Sequence, residues 1–285
     1  MGIPRMGVWL PMLIVLVSGV QVLQVGDLMA ADSSNSGAEA KPASEQEPGT
    51  TTKKRSPKWN LAAPTWGGKQ FWTDEFIYSQ WRIQRNVLSG HCRLVDPKNI
   101  RRAWGTSEEC LGEWGRLKRL HRVPALKKKV VIVLHGLGRT RGAMEGLSQY
   151  LAEQGDFSAL NVSYASTRAS IDDHANALEQ IVGHLDGVTE IHFVAHSLGN
   201  LVIRRFMGEQ MSASGNAKID SRIRRFVMLA PPNNGTNLAQ RLKENSLFRF
   251  VAGKSGEQLG AKWEAFQERL ATPPCAFGIV AGGAE

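Results

Sequence analysis

From residue 127 onward, short apolar runs alternate with stretches whose apolar residues recur at helical spacing. Residues 130–134 (VVIVL) form a continuous β-branched run, the pattern of a strand buried on both faces. Four further runs read as strands: 159–164 (ALNVSY), 191–195 (IHFVA), 226–230 (FVMLA) and 276–281 (AFGIVA). Between them, 141–154 reads as a helix. Ser170 is placed to cap a second helix, reaching about residue 185, with Ile171, Ala175, Leu178, Val182 and Leu185 on one face. A third helix is predicted to open at or just after Ser197 and to bury Leu201, Val202 and Phe206. Strands alternating with helices imply right-handed crossovers and a mostly parallel, doubly wound α/β sheet. Sites in such sheets gather at the carboxyl ends of the strands.

Upstream the pattern changes three times. Residues 1–30 combine Arg5, an apolar run over 8–17 and the small pair Ala30 and Ala31, which reads as a secretory signal and implies an exported protein. An N-terminal membrane anchor is the alternative, although Gly19 and Gln21 interrupt the apolar stretch. Residues 31–58 are rich in Ser, Gly, Pro, Glu and Lys and lack the apolar side chains that offset ordering entropy, so they read as a linker. Residues 59–126 form an extension dense in aromatics, among them Trp59, Trp66, Phe71, Trp72, Phe76, Tyr78, Trp81, Trp104 and Trp114. Packing is the expected role for these rings, with base stacking the alternative. The domain proper is expected over 127–285.

Charge sharpens this division. The net formal charge is +9, yet residues 53–129 hold 18 Lys and Arg against 6 acids while residues 130–285 balance. A basic extension can serve as a solvated face or as a contact for an anionic membrane surface. No nucleic-acid motif accompanies it, and no nucleic-acid partner is expected. Cys92, Cys110 and Cys275 have no zinc-site spacing, and no metal is expected. Cys92 and Cys110 either pair in an oxidising compartment or stay as buried thiols.

Three motifs close three of the predicted strands. Ala195, His196, Ser197, Leu198 and Gly199 follow one strand and open a helix. A sharp turn in that context lifts a serine oxygen to the sheet edge and needs small residues on either side, here Ala195 and Gly199. His135, Gly136, Leu137 and Gly138 follow the first strand, where a glycine-rich loop can aim backbone N–H groups at a developing oxyanion. The donors expected are the N–H groups of Leu137 and Leu198, with His135 and Gly136 supporting the loop. Residues 229–236 (LAPPNNGT) close the fourth strand with turn residues and no acid.

HGLG, AHSLGN and LAPPNNGT, each after a strand and in this order, resemble the lipase-like branch of the α/β-hydrolase superfamily over roughly residues 127–283. The resemblance implies ester hydrolysis through an acyl-enzyme on Ser197, with Leu137 and Leu198 as oxyanion donors. It implies an ester or lipid-like substrate and no cofactor. It also implies a lid between the strands matching Leu229 and Ile279, an interval that includes Leu247, Phe248, Phe250 and Val251. The departure lies in the triad. Family order places an acid and then a histidine after the serine, and no histidine follows His196. The expectation is therefore a C-terminally incomplete hydrolase fold, weak or inactive as a 285-residue chain, or alternatively a non-catalytic binding or scaffold protein of that fold. His174 and His184 are expected on a helix surface and His192 within a strand.

Overall fold

The computed structural model describes residues 63–64, 69–213, 219–232, 255 and 263–282, all within one unit, Pro57–Glu285. The leader, the linker, Trp59, Trp66, residues 233–236 of the third motif and the apolar residues 247–251 lie outside them.

The first half of the described chain builds an antiparallel sheet. Its strands are β1 (Ala63–Pro64), β2 (Trp72–Tyr78), β3 (Trp81–Asn86), β4 (Cys92–Val95) and β5 (Ile100–Gly105), in the order β1-β5-β4-β3-β2. Helix α1 (Ser107–Leu120) follows. Thr106 starts it with a capping box, its hydroxyl accepting from the Glu109 N–H while the Glu109 carboxylate accepts from the Thr106 N–H. The aromatics of this region pack rather than display themselves. Trp114 of α1 sits 5.3 Å from Tyr78 and Trp81 and 5.6 Å from Phe76, ring centroid to centroid. Trp104 is the exception and stays exposed. Cys92 and Cys110 are fully buried here as free thiols, and burial pushes the Cys110 thiol up to about 12. Such thiols are poor nucleophiles.

The second half is the predicted parallel sheet. Strand β6 (Lys129–Leu134) is followed by a 3₁₀ turn (Arg141–Met144) and α2 (Glu145–Gln154), then β7 (Ser158–Val162). Helix α3 (Ile171–Gly183), β8 (Glu190–His196), α4 (Leu198–Ala213), β9 (Ile223–Leu229), α5 (Trp263–Gln267) and β10 (Ala276–Val280) complete it. The order is β10-β9-β8-β6-β7, parallel throughout. The period-2 alternation of β6 assigns its side chains to two layers. Val130, Ile132 and Leu134 join the core under α3 and α4, whereas Val131 and Val133 join Met144, Leu147 and Leu151 on the opposite face. Helices thus cover both faces, which is why this strand reads as an unbroken apolar run.

The two sheets meet where β2 passes the end of β7. Asp74 and Ser163 exchange two hydrogen bonds, Asp74 N–H to the Ser163 carbonyl (2.8 Å) and Ser163 N–H to the Asp74 carboxylate (2.7 Å). Arg82 (2.5 Å) and Gln84 (2.8 Å) also donate to that carboxylate, which is fully buried. The change of pattern near residue 127 is therefore a change of sheet inside one unit.

One helix expectation needs amendment, that for His174, and two elements gain detail. Residues 141–144 are 3₁₀ rather than α. His174 is not on the helix surface: it lies three residues after Ile171 and four before Leu178, which puts it on the apolar face of α3, and it is buried with Ala175 and Leu178. Finally, β10 lies at the sheet edge with Phe277 and Ile279 about half exposed, at 46% and 50%.

Candidate active site

The motif residues converge at the carboxyl ends of β6 and β8. Ser197 is the single residue between β8 and α4, and it adopts a left-handed backbone conformation with φ of 51°. A non-glycine residue held there costs about 1–2 kcal/mol, so the surrounding contacts must impose it. Those contacts are present. The Ser197 N–H donates to the Leu229 carbonyl at 3.0 Å, and the Asn200 side-chain amide bridges the carbonyls of Ser197 (3.0 Å) and Leu229 (3.1 Å). Ala230, just past β9, is also left-handed at φ 44° and donates to the Val280 carbonyl. Asn200 was missed by sequence reasoning, since an amide in the first turn of a helix carries no signal of what it bridges.

Two glycines are demanded by close approach. A methyl group on Gly199 would lie 2.9 Å from the His135 carbonyl oxygen and from Leu134 Cβ; one on Gly136 would lie 2.8 Å from His196 Nδ1 and 3.2 Å from Ser197 Cβ. The loop after β6 and the turn after β8 thus pack directly against each other. Ala195 and Leu198 are buried beside them, and Leu137 is partly exposed against the core. Gly138, at φ 68°, donates to the Ser166 hydroxyl at 3.1 Å. The N–H groups of Leu137 and Leu198 have no protein acceptor among the described residues.

Beneath the loop lies an aromatic stack that sequence reasoning did not anticipate. The Tyr164 hydroxyl donates to the His135 carbonyl, and its ring stacks on the His135 imidazole with centroids 4.1 Å apart. His174 meets Tyr164 edge-on at 4.7 Å. Burial holds the His135 imidazole at about 4 and His174 at about 3, so both are neutral near pH 7. Burial and the Arg139 cation also lower His196.

What the geometry does not bring together is a base for Ser197. All seven histidines are described, and none hydrogen-bonds to the Ser197 hydroxyl. His91 instead meets Ser89 and Trp72, and His121 lies on Trp81. Among the described residues no group of three or more His, Cys, Asp or Glu side chains could hold a metal ion, and no helix is long and apolar enough to cross a membrane.

With the fold and site in view, the chain belongs to the family described as domain of unknown function (DUF7379), which matches residues 99–262. No curated protein matches it in sequence. Solved structures similar to it include phospholipase PlaB from Legionella pneumophila in complex with thio-NAD, at 21% identity and a TM-score of 0.41 over 54% of this chain and 37% of that one. Lipase BlEst2 from Bacillus licheniformis in mature form is 16% identical, with a TM-score of 0.39 over 56% and 66% of the respective chains. A hyperthermophilic esterase from Pyrobaculum calidifontis is 17% identical, with a TM-score of 0.34 over 53% and 49%. The chain spans little more than a third of the length of the Legionella protein.

Proposed function

We propose that this protein is a serine-dependent ester hydrolase of the α/β-hydrolase type, acting on ester or lipid-like substrates through an acyl-enzyme on Ser197. The observation that carries the reading is the left-handed Ser197 at the strand-to-helix junction, flanked by two backbone N–H groups, of Leu137 and Leu198, with no protein acceptor. Left-handed strain in non-glycine residues is enriched at functional sites, where surrounding contacts hold it. An open N–H at a helix start, that of Leu198, with a second in the facing loop, that of Leu137, suits a developing oxyanion. In this reading the leader over 1–30 exports the protein, and the basic segment contributes contact with an anionic membrane surface.

Prolonged incubation with a fluorophosphonate probe, followed by peptide mass spectrometry, tests the assignment. The adduct is expected on Ser197 and is expected to be lost in Ser197→Ala. The rate is expected to be low, because a serine hydroxyl is a weak nucleophile until a base takes its proton. An adduct confined to other residues, or none at all, overturns the reading. The lack of a partner on the Ser197 hydroxyl among the described residues favours a second reading, a non-catalytic binding protein of the same fold. That reading expects no adduct.

A further inference from the structure

A second cluster of charged groups lies apart from Ser197, in a cavity of about 280 Å³ between the antiparallel sheet and the turn after the HGLG loop. Trp72 of β2, Arg82 and Gln84 of β3 and Arg93 of β4 form one wall; Thr140, Arg141 and Gly142 form the other. Ser163, just past β7, closes the floor, and Glu145 stands at the start of α2.

The charges here do not balance within the described residues. Arg82 is satisfied by the buried Asp74. That carboxylate also accepts from Gln84 and from the Ser163 N–H, so its capacity is largely used. Glu145 accepts from the Asn161 amide. Arg93 gives its Nε–H to Gln84 at 3.0 Å and lies 3.7 Å over the Trp72 ring, which fixes its plane and leaves its two terminal NH₂ groups without an acceptor among the described residues. The Arg141 guanidinium has no side-chain hydrogen bond or ion pair among the described residues. Burial lowers Arg93 to about 10, and burial together with the Arg82 cation lowers Arg141. Partly buried cations with unused donors carry a desolvation cost that these neighbours do not repay.

We propose that this cavity is a phosphate-binding site, in which the fork of Arg141 and the terminal NH₂ groups of Arg93 grip a phosphate group. Planar guanidinium forks match phosphate oxygens bidentately, and an orientation fixed by an aromatic ring lowers the entropy lost on binding. The cavity volume approaches the ~300–1,000 Å³ typical of small-molecule sites, which leaves room for a phosphate ester. The site sits at the same carboxyl edge of the parallel sheet as Ser197, since Thr140 and Arg141 follow β6 and Ser163 follows β7. The inference goes beyond the hydrolase reading, and its test needs no turnover.

Titration calorimetry of the full chain with inorganic phosphate, and separately with glycerol 3-phosphate, decides it. Saturable one-to-one binding of at least one probe is expected. Arg141→Gln and Arg93→Gln are each expected to weaken it by roughly ten- to a hundredfold, as for loss of a charge-assisted hydrogen-bond pair. Arg116→Gln, at an exposed position of α1 where Arg116 pairs with Glu113, is expected to leave it unchanged. Tighter binding of glycerol 3-phosphate identifies a phosphate-ester headgroup as the natural source, and equal affinities identify free phosphate; both support the site. Arg141→Lys provides a milder variant that keeps the charge and loses the fork, and it is expected to bind several-fold more weakly with an unchanged thermal midpoint. Failure of both probes to saturate, or equal affinities in wild type and in every Arg93 and Arg141 variant, overturns the proposal.

Discussion

The Tyr164 ring lies nearly parallel to the His135 imidazole, at 11° between planes, while its hydroxyl donates to the carbonyl of that same residue. One side chain at the end of β7 thereby holds both the ring and the backbone of the residue that begins the HGLG loop. Tyr164→Phe keeps the stack and removes the donor, leaving a buried carbonyl without its partner. A stability loss of about 1–3 kcal/mol is expected from chemical denaturation. Amide exchange at Leu137 and Gly138 should accelerate, because the loop loses its anchor from below.

The left-handed Ser197 sets stability against its proposed role. Glycine has no Cβ and adopts φ of about 51° without strain. Ser197→Gly is therefore expected to raise stability by about 1 kcal/mol relative to Ser197→Ala, which keeps the strain. Denaturant midpoints of the two variants measure the difference. A glycine variant no more stable than the alanine one would show that the turn carries no such strain.

The pH dependence of stability follows from His135 and His174. Both have native values, about 4 and about 3, below the ordinary 6.5. As pH falls below 6.5 the unfolded chain takes up protons before the native one, so their contribution is complete above about 6.5 and is lost on the way down to their native values. At pH 4 each accounts for roughly 3 kcal/mol of lost stability. His174→Phe fills a similar space without titrating. Its unfolding free energy is expected to fall less steeply between pH 6.5 and 4 than that of the wild type, as read from urea titrations across that range.

Asp74 joins the two sheets through Ser163 while compensating Arg82. Asp74→Ala leaves a buried guanidinium unpaired and removes the side-chain link between the sheets, while the backbone hydrogen bond from residue 74 to the Ser163 carbonyl can remain. The expected cost is about 3–5 kcal/mol. Trp fluorescence, dominated by the antiparallel sheet, and far-UV circular dichroism should still report one shared transition if the sheets unfold together. Two separated transitions in the wild type would contradict the single unit.

The sequence alone determined the parallel half of the fold, because its determinants are local. Short β-branched runs bounded by turn residues favour strands, Ser170 and Asp173 cap α3 within one turn, and the small residues Ala195 and Gly199 flank the turn at Ser197. The motif residues are legible for the same reason: each sits at a strand end that its own neighbours define. The antiparallel sheet was not legible as such, because Trp72, Phe76, Tyr78 and Trp81 look alike whether they line strands or cover a surface, and only pairing partners decide. The face of α3 that carries His174 was legible from its i+3 spacing to Ile171; tertiary structure alone decided that Tyr164 reaches His135 across 29 positions and that Asn200 ties Ser197 to the end of β9. It alone assembled Arg93 and Arg141, 48 residues apart in sequence, across one cavity. Burial, stacking and charge balance are properties of neighbours in space, and long-range neighbours leave no spacing in the chain to be read.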